Sequence, residues 1–206
     1  MKVVIGTHNR DKLKELMLAF KLEDLNIELL SLDSFPEIGD IPETGKTLEE
    51  NALIKAREVN RITNLPALSD DTGLEVDALH GAPGVFTARY AGENCTYNDN
   101  VQKLLDELET VPAPNRTAKF RTVVAYVDGD FEITAEGYCD GLISGSAKGE
   151  NGFGYDPVFF ITNEKRTFSQ MTIEEKEKYS HRGKAIRKII KLLTPHFNNS
   201  IEKEIV

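Results

Sequence analysis

The stretch Ser69-Asp70-Asp71-Thr72-Gly73-Leu74-Glu75-Val76-Asp77-Ala78-Leu79 places two neighbouring carboxylates directly after a short apolar segment, 65–68. That segment predicts a buried strand that ends before a turn at Gly73. Adjacent ionised carboxylates repel each other and resist desolvation, so a fold that keeps Asp70 and Asp71 near its interior needs a cation. A hard cation such as Mg²⁺ prefers oxygen ligands and usually keeps several waters. The alternative is an acidic surface turn, because Asp and Gly are common turn residues.

Composition and charge limit the classes to which the protein can belong. Its 206 residues suffice for a sizeable core, and 40% apolar with 29% charged residues is typical of a soluble protein. No apolar run approaches the roughly 20 residues that span a bilayer, and segment 1–6 has no signal-peptide pattern. Cys95 and Cys139 match no metal spacing, and a net charge of −9 argues against a nucleic-acid polymer as partner. We therefore expect a cytoplasmic protein without a membrane partner. A small anionic substrate is possible where lysines and a metal outweigh the overall charge.

The beginning of the chain predicts a strand, a small-residue loop and a helix, an order that is typical of anion sites. The strand is 3–5, and the helix begins at about Arg10 after Asn9, a favourable N-cap residue. Lys12 lies in the first turn, where the helix dipole disfavours a cation, so an anionic ligand would explain its position. The alternative is a solvated surface lysine. The predicted apolar face of this helix comprises Leu13, Leu16, Met17 and Phe20.

The following segments predict a strand over 27–32, a polar loop over 36–45 and a helix that Thr47 caps. The loop carries Glu43. Lys55 lies at the edge of the buried helix face, where a lysine usually extends to solvent. The buried face of that helix comprises Leu48, Ala52, Ala56 and Val59.

The middle of the chain predicts a change from helices to strands. A further capped helix begins near Thr96, and the stiff connector 111–115 is a candidate boundary between a first lobe and the rest of the chain. Beyond it, alternation over 119–127 and 131–136 around the Asp128-Gly129 turn predicts a β-hairpin.

Two motifs in the last third of the chain have the composition of ligand-binding segments. Segment 148–159 contains three glycines interleaved with Phe153 and Tyr155, which lets backbone approach a ligand beside stacking faces. A bulged strand edge is the alternative. Ser180-His181-Arg182 precedes a helix that we expect Pro195 to end, and it suits an anion, a base edge or ordinary capping. A short helix capped by Thr172 carries Lys176.

Together these segments resemble the inosine triphosphate pyrophosphatase family, whose members are also called dITP/XTP pyrophosphatases. The opening Thr7-His8-Asn9-Arg10-Asp11-Lys12-Leu13-Lys14-Glu15 is similar to the family pattern T/S-x-N-x-x-K-x-x-E, with Thr7-His8 where some members have Ser-Gly. The other matching segments follow in the family's order, over nearly the whole chain: 70–74, 76–79, 81–85, 88–90, 152–157 and 180–182.

The resemblance implies an α/β fold, with an elongated, twisted mixed central sheet flanked by helices and two lobes that enclose an active-site cleft. We expect one such two-lobed domain over 1–197 and a frayed tail over 198–206. The resemblance also implies a homodimer that hydrolyses inosine, deoxyinosine and xanthosine triphosphates to the monophosphate and pyrophosphate, with Mg²⁺ as cofactor.

The resemblance assigns roles residue by residue. Asp71 matches the catalytic carboxylate and a metal ligand, and Glu43 matches a second metal ligand. Asp70 and Lys55 match supporting members of the site. The remaining matches are substrate contacts: Thr7, His8, Asn9, Arg10, Asp11 and Lys12 in the phosphate loop; Thr72; Phe153, Gly154, Tyr155 and Asp156 in the base pocket; and Lys176, His181 and Arg182.

Phosphoryl chemistry depends mainly on charge neutralisation and positioning, so a metal and several lysines that face a triphosphate are the expected parts. Our hypothesis is that Mg²⁺ on Glu43 and Asp71 binds phosphate oxygens while Asp71 activates the attacking water. The guanidinium group of Arg182 only donates hydrogen bonds, and it would donate to O6 and N7 of a 6-oxo purine. Two other interpretations stay open: a nucleotide-binding module without turnover, and a pyrophosphatase for modified pyrimidine nucleotides.

Overall fold

The computed structural model describes residues 1–23 and 27–204, with side chains as far as residue 197. Within these residues eight strands form one mixed sheet in the order β2-β1-β3-β5-β6-β7-β8, with β4 paired to β3. Strands β2, β1 and β3 are parallel neighbours, whereas β3, β5, β6, β7 and β8 are antiparallel. The strands are β1 Lys2–Ile5, β2 Glu28–Ser31, β3 Ala67–Val76, β4 Pro83–Gly84, β5 Thr117–Asp128, β6 Phe131–Ile143, β7 Phe159–Ile161 and β8 Arg166–Thr167.

The helices begin at the capping residues that the sequence predicts. The Asn9 side chain accepts from two backbone N–H groups of the first turn, and Thr47, Thr96 and Thr172 cap three further helices. Each cap satisfies backbone donors that a helix N-terminus leaves without a partner. The helices are α1 Arg10–Leu22, α2 Leu48–Thr63, α3 Tyr97–Glu107, α4 Ile173–Tyr179 and α5 His181–Glu204.

The two faces of the sheet carry different layers. Helices α1 and α5 pack on one face with Leu68, Val124 and Tyr126 in their core. Helix α2 packs on the opposite face, where the predicted stripe from Leu48 to Val59 is buried. A further core, which includes residues of α3, lies on the same face as α1 and α5, over the part of the sheet that contains Leu74 and Phe120. The mixed sheet flanked by helices that the resemblance implied is confirmed.

The β5–β6 hairpin is confirmed and is longer than predicted, since its strands pair from Asp128–Phe131 to Thr117–Leu142. Gly137 in β6 lets helix α5 approach the sheet closely. A Cβ at this position would lie 2.2 Å from the His181 carbonyl oxygen, which is an impossible contact. The glycine therefore decides how near the start of α5 can lie to the sheet.

Three local predictions are wrong. Strand β3 does not end before Gly73, because its pairing with β5 continues from Ala67 to Val76. Met17 is exposed, and Ala19 is buried in α1 in its place. Pro195 does not end α5, which contains this proline and continues to Glu204; a long helix tolerates a proline at the cost of a hydrogen bond and a bend.

Two predictions concern boundaries along the chain. The connector 111–115 separates α3 from β5, but β5 pairs with β3, so the sheet continues across this point. The tail predicted as frayed, 198–206, lies outside the residues whose side chains are described. In the part of the chain that the structure covers, we find no helix with the length and apolar character needed to cross a membrane.

Candidate active site

The site lies where one edge of strand β3 has no neighbouring strand. Strand β1 pairs with β3 only as far as Leu68, and β4 joins the same edge at Leu74. Between these points the segment 70–72 borders an opening, beside the carboxyl end of β1. A crevice at the carboxyl ends of parallel strands is the common ligand position in α/β sheets.

Asp70 and Asp71 point to opposite faces of the sheet, because successive side chains of a strand alternate. Asp70 faces the α1/α5 layer, where Lys12 Nζ lies 3.3 Å from its Oδ2 and Arg182 donates to the same oxygen at 3.1 and 3.2 Å. Thr72 Oγ1 donates to it as well, at 3.2 Å. Burial opposes ionisation, but Lys12 and Arg182 outweigh it and hold the pKa of Asp70 far below its usual range. The second oxygen, Oδ1, is buried without a partner among the described residues.

Asp71 faces the α2 layer and has its own cation. Lys55 Nζ lies 3.7 Å from Asp71 Oδ1 and 2.5 Å from Glu43 Oε1. Asn51 donates to Asp71 Oδ2 at 3.0 Å, and the Thr72 amide donates to Oδ1 at 3.0 Å. Burial raises the pKa of Asp71, Lys55 opposes this shift and Glu43 adds to it. A carboxylate with a raised pKa in a cleft is a suitable acceptor for a proton from water.

The start of α1 supplies a positively charged side of the cleft. Asn9 Oδ1 accepts from the amides of Asp11 and Lys12 at 3.0 Å each, so the first turn is ordered by this side chain. Burial lowers the pKa of Lys12, and the charge of Asp70 opposes that shift. The positive end of the helix and the ammonium group therefore face the same side of the opening.

Glu15 is a buried carboxylate that joins two cations from different helices. It lies 2.7 Å from Lys176 Nζ on α4 and accepts from Arg182 Nη1 on α5. Burial opposes its ionisation, but Lys176 and Arg182 lower the pKa of Glu15. Lys176 also contacts Asp156, whose Oδ2 accepts from the Phe153 amide at 2.9 Å. The contacts connect helix α1 to the aromatic loop around Phe153.

The opposite end of the cleft is aromatic. The His181 ring stacks on Phe120 with centroids 4.5 Å apart and planes 16° apart, and Lys176 Nζ lies 5.0 Å from the Phe153 ring centroid. Burial, and then Arg182, lowers the pKa of His181 well below its usual value, so the imidazole is neutral at neutral pH. Its Nδ1 is buried without a partner among the described residues. Gly152 is required in this loop, because a Cβ there would lie 2.2 Å from Asp156 Oδ2 and the backbone has φ +75°.

The cleft brings together twelve of the predicted site residues, from five separate parts of the chain. They are Asn9, Lys12, Glu43, Asp71, Thr72, Phe153, Gly154, Tyr155, Asp156, Lys176, His181 and Arg182. Asp70 and Lys55 lie behind them and contact Lys12, Arg182, Glu43 and Asp71.

Four residues of the predicted phosphate loop do not line the cleft. Thr7 accepts from the Asn9 amide, His8 lies 3.1 Å from the Gly39 carbonyl oxygen, Asp11 pairs with Lys14, and Arg10 is exposed. Six residues that line the cleft were not predicted as site residues from the sequence. Phe120 has the pattern of a core residue, and the residues that line the α3 side are Val85, Thr87, Ala88, Tyr97 and Asn100.

Arg182, which we expect to bind O6 and N7 of a purine, already has several partners within the protein. The side chain is 1% exposed. Four of its five N–H groups already donate, two to Asp70, one to Thr72 and one to Glu15. In this arrangement one Nη1 N–H group is left for a ligand, whereas a contact with both O6 and N7 needs two N–H groups.

The donor set fits a cation that is bound by few protein oxygens. Glu43 and Asp71 converge on the Lys55 ammonium group, so their carboxylates already share one positive charge. Among residues 1–23 and 27–204 no group of three or more Asp, Glu, His or Cys side chains forms a complete metal cage. Mg²⁺ usually binds to one or two carboxylates, substrate phosphates and waters, so the pair Glu43 and Asp71 is consistent with it.

A cleft with lysines and carboxylates at one end and aromatic rings at the other defines a protein that handles a small anionic ligand with a planar group. The model of the Ham1 family matches residues 3–192. This chain belongs to the Ham1 family.

Several relatives and solved structures resemble the chain over almost its whole length. The dITP/XTP pyrophosphatase of Elusimicrobium minutum is 50% identical over 93% of this chain and 98% of that protein. The dITP/XTP pyrophosphatase of Caldanaerobacter subterraneus subsp. tengcongensis is 46% identical over 92% of this chain and 94% of that protein. The structure of a HAM1 protein from Coxiella burnetii has a TM-score of 0.84 and 39% identity, and it covers 95% of this chain and 99% of its own.

Proposed function

We propose that this protein is a Mg²⁺-dependent nucleoside triphosphate pyrophosphatase, whose substrates are inosine, deoxyinosine and xanthosine triphosphates. The observation that carries the proposal is the division of one cleft into a charged end, with Lys12, Glu43 and Asp71, and an aromatic end, with Phe153 and His181. A triphosphate and a purine base need these two environments. The relatives named dITP/XTP pyrophosphatase support the choice of substrate.

At the charged end each group has a separate task. Lys12 and the N-terminus of α1 bind and orient the triphosphate group. Asn51 and the Thr72 amide hold the Asp71 carboxylate in one orientation. Mg²⁺, held by Glu43 and Asp71 when it is bound, would neutralise charge on the phosphate oxygens.

The reaction is a hydrolysis of the anhydride between the α- and β-phosphorus atoms. The oxygen of a water forms a bond to phosphorus, the bridging P–O bond breaks, and Asp71 accepts the proton that the water loses. The products are the nucleoside monophosphate and pyrophosphate. Hydrolysis in ¹⁸O-labelled water tells which phosphorus is attacked, since the label enters the monophosphate or the pyrophosphate accordingly.

At the aromatic end the available donors favour a base with an oxygen at position 6. One N–H of Arg182 is free, and the Lys176 ammonium group, with three N–H donors, contacts two carboxylates and has one donor left. The amino group of adenine would face donors and lose its hydrogen bonds with water, which costs about 1–3 kcal/mol. Phe153 contacts any base by stacking and does not discriminate among them.

A panel of triphosphates tests the proposal. Pyrophosphate and orthophosphate release are measured for inosine, xanthosine, adenosine, guanosine and pyrimidine triphosphates, with MgCl₂ and with EDTA. We expect pyrophosphate from the inosine and xanthosine compounds, and activity that EDTA abolishes and Mg²⁺ restores. A pyrimidine preference would instead identify a pyrophosphatase for modified pyrimidines. Binding without product would identify a nucleotide-binding module.

We also propose that the protein acts in the cytoplasm as a homodimer, with no nucleic-acid polymer as partner. The resemblance to the family and the net charge of −9 support these points. Light scattering coupled to size-exclusion chromatography measures the oligomeric state, and a mass of about 23.0 kDa would contradict the dimer.

A further inference from the structure

Tyr97 is a cleft residue for which the sequence offers no role. It is the first residue of α3, directly after the capping Thr96, and the residue is 45% exposed at the edge of the cleft. We propose that Tyr97 is a positioning residue that joins the phosphate loop to the aromatic loop and closes over the sugar of a bound nucleotide. This inference rests on the proposed function, because it needs a ligand with a sugar between a base and phosphates.

The first contact is with the phosphate loop. The Asn9 side-chain amide donates from Nδ2 to the Tyr97 hydroxyl at 2.9 Å, while its Oδ1 accepts from the Asp11 and Lys12 amides. Both ends of the Asn9 amide are therefore held, one by the helix and the other by Tyr97. Through this bond the Tyr97 hydroxyl orders the turn that carries Lys12.

The second contact is with the aromatic loop. The rings of Tyr97 and Phe153 have centroids 6.0 Å apart and planes 47° apart. A planar base between two rings needs about 7 Å, since each carbon–carbon contact takes about 3.5 Å. At this spacing Tyr97 cannot form the second half of a sandwich around the base. It lies instead between Phe153 and Asn9, which is the place of the sugar when the base is at one end and the phosphates are at the other.

Two successive truncations separate these contacts. Tyr97→Phe removes the bond to Asn9 and keeps the ring, whereas Tyr97→Ala removes both. Tyr138→Phe and Tyr138→Ala are the matched controls, because Tyr138 is also exposed and lies outside the cleft. Binding of inosine monophosphate and of pyrophosphate is measured by calorimetry with MgCl₂, and kcat and KM for inosine triphosphate are measured in parallel.

We expect Tyr97→Phe to weaken both ligands equally, by about 2- to 12-fold, which corresponds to one hydrogen bond. The further truncation to alanine should weaken inosine monophosphate again but leave pyrophosphate within about twofold, because pyrophosphate has no sugar. KM for inosine triphosphate should rise more than kcat falls. The Tyr138 variants should match the wild type in all these measurements.

Unchanged inosine monophosphate binding in Tyr97→Ala would overturn the proposal, and so would equal weakening of both ligands in the second step. If Tyr97→Ala does not fold, Tyr97→Phe is decisive: pyrophosphate binding equal to wild type would refute the link through Asn9. Failure of the proposed function is a separate result. In that case the wild type releases no pyrophosphate, while calorimetry with the two ligands still reports on Tyr97.

Discussion

Glu15 provides a sharp test of the charge network, because it is a buried carboxylate that two cations from different helices share. Glu15→Gln keeps the shape of the side chain and removes its charge. Lys176 and Arg182 would then retain one carboxylate each, Asp156 and Asp70, and would repel each other across the site. This substitution changes no residue that lines the cleft.

The size of the effect follows from the burial of the three groups. Glu15 is 9% exposed, Lys176 is 4% exposed and Arg182 is 1% exposed. Removing one member of a buried ion pair typically costs 3–5 kcal/mol. Because each cation keeps another carboxylate, we expect the lower end, a loss of about 3 kcal/mol in the free energy of unfolding. For a chain of this size that corresponds to a fall of roughly 6–12 °C in Tm.

The assay is urea denaturation followed by circular dichroism, with Glu58→Gln as control. Glu58 pairs with Arg61 at the surface, and such a change should leave the free energy of unfolding close to that of the wild type. The pKa of Glu15 is lowered in the folded state, so its stabilisation is present above its unfolded value of about 4.3 and is lost as pH falls through the folded value. The difference between wild type and Glu15→Gln should therefore shrink in acid. Equal stability of the two proteins at neutral pH would refute the reasoning.

Four further predictions concern single residues. Asp71→Asn should fold normally and reduce turnover by at least about 10²-fold, because a proton acceptor is lost; steady-state pyrophosphate release measures this. Lys12→Ala should reduce kcat/KM for every triphosphate by a similar factor, corresponding to about 1.5–3 kcal/mol for a charge-assisted contact, and should leave base preference unchanged. The pKa of the buried His181 is lowered, so below about pH 7 the unfolded chain binds a proton at this residue while the folded chain does not, and the wild type loses stability between about pH 7 and pH 5. His181→Asn should remove this loss. Gly137→Ala should lower the free energy of unfolding by about 1–3 kcal/mol, since its Cβ would collide with the α5 backbone; denaturant unfolding measures this.

Each of these variants has a matched control elsewhere in the chain. The controls are Asp77→Asn, Lys14→Ala, His80→Asn and Gly39→Ala, all outside the cleft. A Cβ at Gly39 has nothing within 4 Å. Near-wild-type turnover in folded Asp71→Asn, or changed base preference without lost efficiency in Lys12→Ala, would show that these residues are misplaced. A pH dependence shared by His181→Asn and wild type, or a stable Gly137→Ala protein, would contradict the other two predictions.

Much of the local structure could be read from the sequence, because its causes are local. Asn9, Thr47, Thr96 and Thr172 cap helices with their own side chains, and these caps lie where the pattern of residue types predicts them. The β5–β6 hairpin follows from alternation around Asp128-Gly129 for the same reason. Motif order also indicated the family, to which the chain belongs.

The arrangement of charges was decided by the tertiary structure alone. The sequence shows Asp70 and Asp71 as neighbouring carboxylates that need a cation, but β3 continues through both and turns them to opposite faces. Asp70 pairs with Lys12 and Arg182, whereas Asp71 pairs with Lys55, and Arg182 is separated from Asp70 by 112 residues along the chain. Which cation meets which carboxylate depends on how helices from distant parts of the chain pack on the sheet. No local pattern contains that information. The same packing directs most of the Arg182 N–H groups to Glu15, Asp70 and Thr72.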